Sequence, residues 1–365
     1  MLSTIEKYPP PFHLSDLNKS TAIWKITALW AFSEAALGGI LHVFKIPFRG
    51  VFIGGSAAVL ISLLAYFSKE KGIILRSTLI VIIIKGMVSP YTPLTAYFAV
   101  FLQGLMGEVL FFNRKFFKVS AFILGVLALV FSSMQKLIIL TILFGNTLWD
   151  SINQFGKVIT SELLTQNNSI DLNFSYLIVG AYLGIHIVLG VIVGIFAGKF
   201  PVKIARVINY ERPNIDVFYK SITDDSIANK KISKRWWKKP GRILLVVIIA
   251  GMLLLSYLHT ESETNKAIEV LMMVLRAIGI MLIWYFLLAP LLLKLLQKLL
   301  KKKQDKYSTE IKRIVDNFPH FRKLVNYCWK YSSKKKGYKK ISSFIIMLVS
   351  LLLLTDLENM QSVPD

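Results

Sequence analysis

Residues 21–43 read TAIWKITALWAFSEAALGGILHV, an apolar run long enough to cross a bilayer as one helix. Ala31, Ala35 and Gly39 recur at intervals of four and share one helical face, which lets another helix approach closely. Glu34 lies beside that face, and a carboxylate inside an apolar span is costly enough to need a purpose. Two roles stay open for it: an ion pair with a Lys from another span, or a polar contact with a docked helix. A smooth face with an embedded acid points to a helix that docks against a partner rather than one that merely anchors the chain.

The surrounding composition sets the class. Hydrophobic residues make up 54% of the 365, and the mean hydropathy is +0.56, as in an integral membrane protein. A formal charge of +23 would suggest nucleic acid in a soluble chain. Here Lys and Arg fall mainly in short connectors, where they set membrane orientation, so no nucleic-acid partner is expected. Cys328 is the only cysteine, which excludes an internal disulfide. The first twenty residues are polar and contain proline, so no cleavable signal is expected. The patterns GxxxxGK[ST], HExxH, GxSxG and CxxC are missing, and the five His residues are scattered. The expectation is a protein that is not an enzyme, with no catalytic residue, no metal, no cofactor and no ATPase of its own.

Apolar runs predict an all-α, polytopic membrane protein of about nine spans, near 21–44, 50–67, 74–89, 94–112, 119–146, 175–198, 243–259, 267–296 and 341–355. The fifth is long for a simple crossing, which predicts tilt or protrusion. Lys69, Lys71 and Arg76 follow span two, and Arg114, Lys115 and Lys118 follow span four. Long basic stretches, 199–242 and 294–340, follow spans six and eight. These connectors share one side, which the positive-inside rule makes cytoplasmic, with the N-terminus inside and the C-terminus outside. Lys45 and Arg49, in the first outer connector, are the exception.

Three regions follow: a six-span block 1–200, a basic cytoplasmic linker 201–241, and a three-span region 242–365. In the connector 147–174, Ile152, Phe155, Val158, Ile159 and Leu163 predict an amphipathic segment on the outer surface. Within 308–331, Ile311, Ile314, Val315, Phe321, Leu324 and Val325, interrupted by Pro319, predict two short amphipathic cytoplasmic helices. Trp236 and Trp237, flanked by basic residues before span seven, read as an interfacial anchor.

Candidate binding residues come from polar groups at odds with apolar surroundings. His42, Lys45, Lys85 and Lys136 fall toward the outer half of spans one, three and five, and His186 lies nearer the middle of span six. Positive groups at one depth can line a cavity for an anion, while the plainer reading is snorkelling to headgroups. Gln103 in span four, Tyr91 in a proline-stiffened outer loop, and Asn146 and Trp149 at the start of the 147–174 connector supply hydrogen bonds and flat walls. The substrate-binding candidates are therefore His42, Lys85, Tyr91, Gln103, Lys136, Asn146, Trp149 and His186. The partner-coupling candidates are Ala31, Glu34, Ala35 and Gly39. Small-residue stripes at Gly50, Gly54 and Ala58 and at Gly190, Gly194 and Gly198 read as ordinary packing inside one bundle. Glu108, near the inner end of span four, reads as structural or as facing the cytoplasmic interface.

Residues 20–200 resemble the substrate-binding (S) components of energy-coupling factor (ECF) vitamin transporters. The resemblance rests on six spans with both ends inside, on Ala31-Phe-Ser-Glu-Ala35 as an AxxxA pattern in span one, and on Gly50-Val-Phe-Ile-Gly54-Gly55 opening span two. It implies capture of a small anionic, vitamin-like or micronutrient solute near the outer surface, with the loops after spans one, three and five as gates. It also implies a first helix that packs on a transmembrane coupling subunit through Ala31 and Ala35, and separate ATPase subunits that topple the S component in the inner membrane of a bacterium. The chain departs from this pattern after residue 200, where three spans and a basic region follow. They read as a remnant or a variant of the coupling subunit, yet the Ala-Arg-Gly motif of its coupling helices is missing; Ala205-Arg206-Val207 is nearest and sits elsewhere. The alternative is a scaffold without transport that recruits a protein or anionic lipid through its basic cytoplasmic helices.

Overall fold

Apolar runs free of internal turn signals become helices, and no strand occurs among the described residues. The computed structural model describes residues 19–43, 49–88, 93–163, 173–211 and 288–355, with scattered positions between 268 and 280. Lys45, Tyr91, the seventh span, most of the eighth, and the linker from 212 on, with its tryptophan pair, lie outside the described residues.

The helices are α1 Lys19–Val43, α2 Arg49–Phe67, α3 Ile73–Val88, α4 Leu94–Leu110, α5 Phe117–Phe144, α6 Asn146–Leu163, α7 Phe174–Arg206, α8 Ala289–Lys306, α9 Ser308–Asp316, α10 Phe318–Ser332 and α11 Tyr338–Leu354. A π turn, Val207–Glu211, follows α7. Three of them, α2, α5 and α7, are long and apolar enough to cross a membrane, and α4 is a shorter apolar helix. Only 28% of the apolar window of α5 and 17% of that of α7 is buried within the protein. Val119, Phe122, Ile192 and Ile195 are among the side chains left outside, a surface that hydrocarbon solvates and water does not.

The chain divides into two compact units, residues 1–134, 182–224 and 292–365 forming the first and residues 135–181 and 225–291 the second. At the centre of the first unit stands α1, which packs on α2, α3, α9, α10 and α11. From Trp24 to Ala31 every residue is buried, as expected of a helix surrounded on all sides. Close approaches hold the neighbours together. A methyl added at Gly194 would come within 2.5 Å of the Phe122 carbonyl, and one at Gly125 within 2.5 Å of Gly194 Cα. The glycine stripe of α7 is thus a contact face for α5, and Gly54 of α2 faces Ala128 of α5 and the Gln103 amide of α4.

In the second unit α6 takes the place of the amphipathic segment. Asn153 Oδ1 accepts the Ser175 N–H at 2.7 Å and so caps the start of α7. Trp149 Nε1 donates to Thr141 Oγ1 at 3.1 Å. Phe155, Val158 and Ile159 remain exposed along one side.

Candidate functional site

The two sides of α1 do different work. Toward α3, Thr27 Oγ1 donates to Ser77 Oγ at 2.9 Å. Two turns further along, Lys85 Nζ donates to Glu34 Oε2 at 2.6 Å, with side-chain exposures of 7% and 0%. Of the two roles open to Glu34, the ion pair with a Lys of another helix is the one present. A buried pair of this kind costs desolvation of both ions and roughly recovers it through mutual attraction, so breaking it costs more than it adds. Glu34 Oε1 has no hydrogen-bond partner among the described residues.

The other side of α1 is covered by the chain's own C-terminal helices. Lys25 Nζ donates to the carbonyls of Leu353 (3.1 Å) and Thr355 (2.6 Å), which closes the C-terminus of α11 and meets its negative dipole end. The Arg313 guanidinium of α9 lies 4.3 Å from the Trp24 ring. Phe32 stacks on Phe321 at 6.0 Å and meets the edge of Phe318 at 5.5 Å, both on α10. At about 100° per residue, Ala28 and Ala35 fall on the arc between Trp24 and Lys25, the arc these helices cover. Ala31 borders that arc on the α3 side and is fully buried, and Ala35 is half-buried. Arg76 of α3 pairs with Glu310 of α9 and lies over the Tyr307 ring.

The remaining candidates are dispersed. Lys85 is committed to Glu34. Gln103 is buried against Gly54, and its Oε1 has no hydrogen-bond partner among the described residues. Gly86, next to Lys85, faces Tyr97 on α4, six residues from Gln103 and so about 9 Å along that helix. The structure therefore keeps Lys85 and Gln103 at different levels. His186 is buried, its Nδ1 2.8 Å from the Tyr182 carbonyl and its ring against that of Tyr182. Lys136, Asn146 and Trp149 belong to the second unit, where Lys136 and Asn146 are exposed. His42 and Gly39 are described only as helical positions of α1, and Tyr91 lies outside the described residues.

Two residues of weight, Lys25 and Phe32, escape a reading of the sequence, and a third, Glu108, is read as structural without its partner. Glu108 reaches from α4 to the N-terminus of α3, accepting from Gly72 N (2.6 Å), Ile74 N (3.1 Å) and Leu75 N (3.2 Å). A carboxylate there satisfies orphan N–H groups and meets the positive end of the helix dipole. Lys25 and Phe32 join α1 to elements some 300 residues away. On α10, burial together with Lys323 holds the His320 imidazole below its ordinary pKa of 6.5. Burial pushes the Cys328 thiol up to about 12, which keeps it protonated and unreactive. No group of three or more potential metal ligands occurs among the described residues. No known family, curated protein or solved structure matches this chain.

Proposed function

We propose that this chain is the solute-binding component of an ECF-type uptake system, with α9–α11 serving as a coupling element built into the same polypeptide. The observation that carries the reading is the cover over α1: Phe32, which packs on Phe318 and Phe321, and Lys25, which clamps the end of α11, flank Ala28 and Ala35 on the side that the resemblance assigns to a coupling partner. In this reading the protein has about nine spans, its N-terminus lies inside, and it resides in the inner membrane of a bacterium. Separate ATPase subunits power transport, with or without a further coupling subunit. The solute is small, anionic and vitamin-like. Its charge would compete with Glu34 for Lys85, and its polar atoms would satisfy buried acceptors such as Glu34 Oε1.

The test begins with the solute retained by purified protein, identified by mass spectrometry. The Ala31→Leu and Ala35→Leu variants should hold that solute within twofold of wild type yet take it up at least tenfold more slowly in vesicles supplied with the ATPases. Uptake at the wild-type rate would refute the coupling role of this face.

A further inference from the structure

One cavity of the first unit, about 930 Å³, belongs neither to α1 nor to the solute candidates. Six cations line it: Lys118 from the first turn of α5, Lys199, Lys203 and Arg206 from the end of α7, Lys335 from the turn before α11, and Lys339 from the first turn of α11. Among the described residues no Asp or Glu lines it. All six cations are exposed to solvent, which screens their repulsion, and together they form a positive face that attracts counter-charge. Several features fit that counter-charge to phosphate. Arg206 offers a bidentate fork, and Lys groups offer point charges from several directions. The tyrosines Tyr327, Tyr331 and Tyr338 and the serines Ser342 and Ser343 add hydroxyls. The N-terminus of α11 opens beside the cavity with no side-chain cap, leaving backbone N–H groups for an anion.

The position of the cavity says where the phosphate comes from. At about 1.5 Å per residue the 33 residues of α7 extend about 50 Å, more than a hydrocarbon core of about 30 Å. A helix that long can carry its basic end to headgroup level or beyond, and Val119 and Ile195 leave exposed apolar surface nearby on α5 and α7. Val202, Ile346 and Met347 give the cavity an apolar wall as well.

We infer that this cavity binds clustered phosphate, the chemistry shared by the headgroup of an anionic phospholipid and by a soluble polyphosphate, and that the lipid headgroup is its occupant. The inference stands independently of the transport reading.

Binding is measured on the full chain in neutral detergent with cardiolipin, phosphatidylcholine and sodium tripolyphosphate as probes. A Lys203→Gln, Arg206→Gln, Lys339→Gln variant is compared with a Lys69→Gln, Lys71→Gln, Lys330→Gln variant of equal charge loss. The expected result is cardiolipin binding at least tenfold tighter than phosphatidylcholine, lost at least tenfold in the cavity variant and kept within twofold in the control. A Lys203→Arg, Lys339→Arg variant, which keeps the charge and guards against misfolding, should bind like wild type. Tripolyphosphate tighter than cardiolipin would overturn the lipid as occupant while leaving the phosphate site. Equal losses in cavity and control variants, or no preference of either anion over phosphatidylcholine, would overturn the site itself.

Discussion

At the scale of single residues, the pair Glu34–Lys85 governs what α1 and α3 can tolerate. Glu34→Ala leaves an ammonium group buried without its counter-ion, a change that costs about 3–5 kcal/mol in comparable sites. Thermal unfolding in detergent should show a marked loss for Glu34→Ala and for Lys85→Ala. The double variant Glu34→Gln, Lys85→Met should recover most of it, because no unpaired ion remains. Equal losses in single and double variants would mean that packing volume matters there and the charges do not. His320 supplies a pH dependence of known sign. Its folded pKa lies below the unfolded value near 6.5, so between the two the unfolded chain holds more protons and stability falls as the pH falls. The thermal midpoint should drop between pH 7.5 and 5, and His320→Gln should lose part of that drop.

At the scale of elements, the start of α3 rests on a carboxylate borrowed from α4. Glu108→Ala removes three acceptor contacts from that helix end, and loss of a cap of this kind costs roughly 0.5–2 kcal/mol. Amide exchange at Ile74 and Leu75 should accelerate while that of mid-helix Val81 stays unchanged. Such a device explains what the sequence discloses and what it withholds. Periodicity and apolar length are local, so the six N-terminal runs 21–44 to 175–198 are matched by helices with nearly the same bounds, and the amphipathic stretch in 147–174 by α6. The 308–331 stretch likewise holds two helices, separated at Asn317. The end of α7 is less legible: span six is read to 198, yet the helix runs through Pro201 to Arg206. The proline ring removes one backbone donor, a loss the packed helix absorbs. For Glu108 the sequence shows a structural role without its partner, and Lys25 is not legible at all. Their partners lie 36 and 330 residues away, and nothing in either neighbourhood marks a cap or a clamp.

At the scale of the whole molecule, one compact unit contains parts of both the N-terminal and the C-terminal stretches of the chain. Helix α1 is its hub, with α2 and α3 on some sides and α9–α11 on others. If α9–α11 couple ATP hydrolysis to solute movement, their contact with α1 has to change during the cycle, since a coupling element that never moves transmits nothing. Joining the two surfaces should then separate binding from transport. Phe32 and Phe321, with ring centroids 6.0 Å apart, offer the place. In a Cys328→Ser background, Phe32→Cys with Phe321→Cys can be joined by a short bifunctional thiol reagent, and the same variant before the reagent is the control. The cross-linked protein should keep its solute affinity within twofold and lose at least tenfold in uptake rate, with transport returning when a cleavable linker is cut. Uptake undiminished by the cross-link would make α9–α11 a fixed wall of the bundle, and coupling would have to act on another face of α1.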